Sequence, residues 1–208
     1  MTNLNEKNIP TSEIFIVGGG GHAASCMSVI LSCGKYNIGG FTDNNNEALL
    51  SKLGLEHLGN DRQFSNLLKA GYSAAIGLGQ ILSPDLRVNA YNKLKKLNAK
   101  LPTIIASSAH VSAGAKIEEA SIVFHKSVVN ISAHIGKNCI INTSSVIEHG
   151  CHIGAHTHVG PGAIILGDAH IGSNCFIGSG SIIFQNIKIP DNKVIPAGSI
   201  IKCSPQCE

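Results

Sequence analysis

From Ile105 to Ile201 every sixth residue is Ile or Val, seventeen positions in succession without one insertion. Four residues beyond each of these, from Ala109 through Ser181, thirteen successive positions are Ala, Ser, Thr or Cys. A period of six is neither the 3.6 of an amphipathic helix nor the alternation of a half-buried strand, so the repeat is itself the structural unit. One aliphatic turned inward per hexad, and one small residue where the chain rounds a corner, predict a triangular β-solenoid with three hexads per coil. Residues eighteen apart then stack on neighbouring coils at roughly 4.8 Å, the spacing of paired strands. A core of stacked aliphatics needs no large aromatic filler, and the chain has no Trp.

Before Ile105 the pattern is different. EIFIVG (13–18), NIGGFTD (37–43) and SAAIGLG (73–79) predict strands, and helices are expected from Ala23 to about Leu31, Asp61 to Ala70 and Pro84 to Asn98. Strands alternating with helices predict an α/β unit, a small Rossmann-like parallel sheet with covering helices. The expected division is a flexible N-terminus over 1–12, the sheet domain over 13–103, the solenoid over 104–202 and a tail over 203–208.

A formal charge of +3 spread along 208 residues, with few aromatics, argues against a nucleic-acid surface. The start, MTNLNEKNIPTSE, is polar, and no apolar run approaches the roughly 18–20 residues of a membrane span. A cytoplasmic protein with neither nucleic-acid nor membrane partners is expected. The seven cysteines lack the spacing of a disulfide framework, so free thiols are expected. Cys203 and Cys207 either pair, bind a metal or belong to an open tail.

Candidate chemistry crowds into S-V-I-E-H-G-C-H-I-G-A-H-T-H, residues 145–158. The eighteen-residue coil sorts these side chains. Cys151, like Cys139 and Cys175, falls in the small corner series and is expected to be buried filler. His152 belongs to an outward column with His134 and His170, flanked by Lys116 and Lys188. That column is a solvated ladder unless its imidazoles converge on a zinc ion. His156 is expected to face solvent. His149 has Gly167 directly above it, which leaves a free imidazole beside a backbone N–H. Acyl transfer needs that pair, a general base and a donor for the developing oxyanion. His158 lies on another face and would meet His149 only across a groove between two solenoids, as in a closed trimer. In the first half, Gly18, Gly20 and Ala23 satisfy a G-x-G-x-x-A turn that presents helix-start N–H groups to an anion. Roughly ninety residues make only half of a two-unit dinucleotide fold.

The stretch INTSSVIEH (141–149), followed by GCHIGAHTHVGPGAIILGDAHIG, resembles the bacterial nucleotide-sugar acetyltransferases that acetylate a 4-amino sugar of the diacetylbacillosamine type. The sialic acid O-acetyltransferases look similar. The likeness extends through VGGGGH, the FTDN strand end and AIG, so it spans nearly the whole chain. It implies a left-handed parallel β-helix, acetyl-CoA as co-substrate with no metal required, and a UDP-4-amino-4,6-dideoxy sugar as acceptor. It also implies a homotrimer with active sites between subunits. Carried over by residue, His149 is the general base, and His158 contacts the acetyl-CoA thioester from the adjoining subunit. Gly167 offers its N–H, while Ser179 and Ala197 contact the coenzyme; the coil independently stacks those two above Pro161. Gly20, Gly21 and His22 surround the diphosphate and sugar, and Asp43 and Asn44 contact the nucleoside.

Four departures stand out. Gly150 replaces the acidic residue that follows the base in related enzymes, and Asp168, one coil up, is the candidate substitute. The solenoid begins I-A-S-S-A (105–109), without the usual histidine. The segment after Ile76-Gly77 differs and is longer, and KCSPQCE replaces the G-x-P-A-K tail. The alternative activities are O-acetylation of sialic acid or another sugar hydroxyl, and a zinc-binding β-helix of γ-carbonic-anhydrase type built on His134, His152 and His170. A scaffold trimer without catalysis is the third.

Overall fold

The computed structural model describes residues 12–203. β1 (Ser12–Val17) is the centre of a three-stranded parallel sheet, with β2 (Tyr36–Thr42) on one side and β3 (Ser73–Ile76) on the other. Ile14 to Val17 are buried on both faces, as the unbroken apolar run demands. Helix α1 (Gly21–Cys33) covers one face through Ala23, Cys26, Val29 and Ile30, and stops at Gly34, whose φ of 65° is left-handed. The short helix α2 (Leu49–Lys52) has no counterpart in the sequence expectations. The helix expected from Asp61 to Ala70 divides into a 3-10 turn, Asp61–Gln63, and α3 (Phe64–Lys69). Asn60 caps the turn by accepting from the Arg62 N–H. The third strand stops at Ile76, earlier than SAAIGLG suggested, and the chain leaves the sheet at Gly77 before α4 (Asp85–Lys96). Ser12 is already part of β1, so the flexible start expected over 1–12 otherwise falls outside the described residues, as does the tail from 204 onward with Cys207.

From Ile104–Ile105 to Ile200–Ile201 the chain forms seventeen two-residue strands in three parallel sheets, the faces of a prism. Its Ile/Val series points inward, and from Val123 to Ile183 each member is 0–1% exposed. Three residues after the inward positions from Val111 to Ile195 the backbone is left-handed, at Gly114, Ala120, Lys126, Ser132 and Asn138 and onward through Gly150, His156 and Asp168. The small residue that follows has a second duty that size alone did not reveal. Ser121, Ser127 and Thr157 each donate at 2.7 Å to the carbonyl fifteen residues on, and Cys139 and Cys151 do so at 3.1 Å. Corner carbonyls buried in the wall are thereby satisfied at each coil.

The outward residues give each face its character. One face presents Ile104, Ile122, Ile140, His158, Phe176 and Val194, and its lower coils are sealed by the first half of the chain. The second presents Val128, Val146, Ile164, Ile182 and Ile200, a continuous apolar stripe. The third carries Lys116, His134, His152, His170 and Lys188. The two halves are stapled by Arg87 of α4, 1% exposed. It donates to the carbonyls of Ile76 (2.6 Å) and Leu78 (3.0 Å) in the first half, and of Asn138 (3.2 Å) and Ala120 (3.4 Å) in the second. Among the described residues, no helix is long and apolar enough to cross a membrane.

Candidate active site

His149 stands on the corner joining the apolar face to the basic face, and its side chain is 59% exposed. Its imidazole lies against Gly167: a Cβ there would come within 2.6 Å of Cε1 and 2.7 Å of Nε2, so a side chain at 167 would displace the ring. At two positions of this column the backbone N–H is taken by the preceding side chain. Ile131 N–H donates to Asn130 Oδ1 at 2.7 Å, and His149 N–H to Glu148 Oε2 at 3.4 Å. The side chain of Leu166, which precedes Gly167, offers no acceptor, and among the described residues the Gly167 N–H finds none. A base and an uncommitted backbone donor are therefore adjacent.

Asp168 Oδ2 lies 3.8 Å from His149 Nδ1, at ion-pair distance once the imidazole is protonated. Gly150 has φ 68°, and a side chain there would collide with Asp168 Oδ1. The carboxylate of the next coil thus fills the space that a side chain at 150 would claim. Cys151, two residues from His149, is 1% exposed, and burial pushes its thiol up to about 11, so it is no nucleophile.

His158 is placed quite differently. It is 6% exposed, on the face covered by the first half, with its ring 5.1 Å from Phe176 and 6.2 Å from His22. Both its nitrogens are engaged, Nδ1 by the Gln80 carbonyl at 2.6 Å and Nε2 by Asn142 Nδ2 at 3.0 Å. His156 is not solvent-facing as expected. It is half-buried, with Nδ1 2.9 Å from Asn138 Nδ2 and its ring edge-on to Tyr91, because α4 packs over this part of the face. Ser179 and Ala197 are exposed on the corner between the covered face and the apolar face, above Pro161.

In the first half, Gly20 and Gly21 are exposed, and a Cβ at either would meet nothing within 4 Å. The fold itself makes no steric demand for glycine at these two positions, which open the first turn of α1. Asp43 braces this turn: Oδ2 accepts from the Gly19 N–H at 2.7 Å, and Oδ1 from the Asn45 N–H at 2.9 Å. Beside it lies a cleft of about 320 Å³ lined by Gly18, Asp43, Asn44, Asp61, Asn89 and Lys93, at the carboxyl ends of β1 and β2. Sequence reasoning missed Asp61, Asn89 and Lys93, which come from elements distant in the chain. His22, next to the open turn, directs its ring toward Phe124 and His158, and its buried Nε2 has no partner among the described residues.

Burial holds His22 down to about 3 and His158 to about 4, the nearby Arg87 guanidinium adding to both. Both are neutral in the fold, whereas the unfolded chain protonates them near 6.5. The unfolded state then binds more protons below about pH 6.5, so stability falls as the pH drops toward 4 and 3. At pH 5 each histidine costs roughly 2 kcal/mol, or together about 10 °C in Tm for a chain of this size. Thermal melts at pH 7.5 and 5.0 test this; equal midpoints would contradict it.

The His134–His152–His170 column forms as expected, with ring centroids 5.0 and 5.9 Å apart, and His134 Nε2 is paired to Glu118 Oε1 at 2.7 Å. Among the described residues, no group of three or more His, Cys, Asp or Glu is arranged to hold a metal ion.

Residues 13–94 match the family of the PglD N-terminal domain; 132–167 and 150–185 match the bacterial transferase hexapeptide (six repeats), and 168–203 the hexapeptide repeat of succinyl-transferase. PerB of Caulobacter crescentus, solved with CoA and GDP-perosamine, is 27% identical, covering 93% of this chain and 90% of that one with a TM-score of 0.86. The acetyltransferase domain of PglB from Neisseria gonorrhoeae is 26% identical over 93% of both chains, TM-score 0.86. The chain is a hexapeptide-repeat acetyltransferase, similar over nearly its whole length to these sugar-modifying enzymes. WeeI from Acinetobacter baumannii, 18% identical over 92% of this chain and 95% of that one with a TM-score of 0.71, shares the fold of this acetyltransferase. No curated protein matches its sequence.

In this acetyltransferase the prism keeps the two candidate half-sites apart. The first half covers one face, and His149 occupies the corner opposite that face. The Gly20–Gly21 turn is thus separated from the His149 of its own chain by the width of the solenoid.

Proposed function

We propose that the chain transfers the acetyl group of acetyl-CoA to the amino group of a nucleotide-linked sugar, with a UDP-4-amino-4,6-dideoxy sugar as the expected acceptor. The observation that carries this is His149, an exposed imidazole laid on Gly167 beside an unclaimed N–H. A sugar amine is largely protonated near neutral pH, so a base must remove a proton before or during attack on the thioester carbon. His149 takes that proton, the Gly167 N–H receives the negative charge growing on the carbonyl oxygen, and coenzyme A leaves as the thiolate. Asp168 is the counter-charge for the imidazolium. His158 and the column of Ser179 and Ala197 contact the coenzyme. Gly20, Gly21 and His22 hold the diphosphate and sugar, and Asp43 and Asn44 reach the nucleoside, where Asp43 also braces the turn.

Separation of the half-sites within one chain calls for a second copy. Packing the apolar stripe of Val146, Ile164 and Ile182 around a three-fold axis brings the His149 corner of one copy beside the Ser179–Ala197 corner of the next. That arrangement is a closed homotrimer with three sites between subunits. On this reading the enzyme is expected in the cytoplasm, where it would meet acetyl-CoA and a nucleotide sugar.

Two complexes of similar proteins, one with CoA and GDP-perosamine and one with acetyl coenzyme A, support the substrate classes. They also make the base worth testing. A thiol-release assay with acetyl-CoA across UDP-, dTDP- and GDP-linked 4-amino sugars, with sialic acid as the hydroxyl control, decides the acceptor. Turnover with a 4-amino sugar is expected; turnover with sialic acid alone would replace N-acetylation by O-acetylation, and none at all would leave a scaffold.

A further inference from the structure

Gln80 lies in the loop between β3 and α4, the segment that departs from the family pattern, and it is 4% exposed. Its Nε2 donates to the carbonyls of His156 (2.9 Å) and Cys175 (3.1 Å), which pins the loop to two successive coils of the covered face. Its own main-chain carbonyl meets His158 Nδ1 at 2.6 Å. On the far side of the ring, His158 Nε2 faces Asn142 Nδ2 at 3.0 Å, and Asn142 Oδ1 faces the Thr143 N–H at 2.8 Å.

The two ends of this chain of hydrogen bonds settle every proton in it. A main-chain carbonyl can only accept, so His158 Nδ1 carries the hydrogen. A main-chain N–H can only donate, so Asn142 turns Oδ1 to Thr143 and Nδ2 to the imidazole, whose Nε2 is the bare acceptor. An imidazolium, or the Nε2–H tautomer that free histidine favours, would set two donors face to face. Burial, which holds His158 neutral, acts in the same direction.

We propose that Gln80 is a positioning residue of the acetyl-transfer site. By anchoring the loop carbonyl on His158 it fixes the Nδ1–H tautomer, so that Nε2 accepts from the Asn142 carboxamide, whose second N–H is offered to the acetyl thioester. This rests on the coenzyme-contacting role given to His158 above. Gln80 touches no reacting atom; it sets the state of groups that do.

The test is Gln80→Leu, which removes both anchoring N–H groups at nearly constant volume, beside Ser83→Ala in the same loop as control. In protein labelled with ¹⁵N-histidine, with His158→Gln used to assign the signal, the wild type is expected to hold one ring as Nδ1–H from pH 7.5 to 5.5. In Gln80→Leu that signal should move to the Nε2–H or mixed form. The KM for acetyl-CoA should rise about tenfold, with little change in the KM for the sugar nucleotide, because only the coenzyme end is disturbed. Ser83→Ala should change neither. A wild-type His158 found as Nε2–H overturns the proposal even if the Leu variant does not fold. So does an unchanged tautomer in Gln80→Leu, or equal losses toward both substrates. If His158→Gln leaves the acetyl-CoA KM unchanged, it is the role of His158 that fails, while the tautomer signal still decides whether Gln80 positions the ring.

Discussion

His149→Ala is expected to lower kcat for acetyl transfer by roughly 10²–10⁴, the usual worth of a positioned general base. Binding of acetyl-CoA should stay within about twofold, because the imidazole acts on the amine and not on the coenzyme. The side chain is more than half exposed and fills no core, so the variant should melt with the wild type. Steady-state rates with a 4-amino sugar nucleotide, coenzyme binding by calorimetry and a thermal melt separate these effects. Retained turnover would remove His149 from the mechanism. Asp168→Asn keeps the shape that packs against Gly150 but deletes the charge 3.8 Å from Nδ1. A lower kcat and a displaced pH–rate profile are expected, and an unchanged rate and profile would dismiss Asp168.

Arg87→Ala should be the most damaging single change to stability. The guanidinium is the only side chain that donates to the carbonyls of Ile76, Leu78, Asn138 and Ala120 among the described bonds, and it joins the two halves of the chain. Truncation opens a buried cavity and deprives all four carbonyls of this donor, a loss of about 3–5 kcal/mol. Arg87→Lys should recover little of it, since an ammonium cannot reach four acceptors with the fork geometry of arginine. Urea unfolding followed by fluorescence and circular dichroism reads the effect. The midpoint should fall sharply, and the halves should lose their common transition; an unchanged midpoint would show that the staple is dispensable.

Much of the molecule is legible from residue order because the solenoid is locally encoded. An inward aliphatic, a left-handed residue three places on and a small corner residue one place further recur in the hexads from Val111 to Ile177, and each needs only its own coil and the next. The same register separates the cluster at 145–158 correctly in most respects: Cys151 is buried, His152 joins the outward column and His149 lies on Gly167. It fails for His156. A residue's outward direction says nothing of what covers it, and α4, some sixty residues earlier in the chain, covers this one through Tyr91. The corner series was legible as small, but its donors to the next coil's carbonyls were not, because that role depends on a partner fifteen residues away.

The sequence by itself determines the hexad register, the parallel sheet before it and the pairing of His149 with Gly167 and Asp168, since all follow from short-range periodicity. Tertiary structure alone decides which outward columns become chemistry. His158 and His149 belong to one repeat and look alike in the chain, yet one is sealed between Gln80, His22 and Phe176 and the other stands open at the opposite corner. Burial, protonation and tautomer depend on contacts nearly eighty residues apart in sequence, and only the folded chain brings them together.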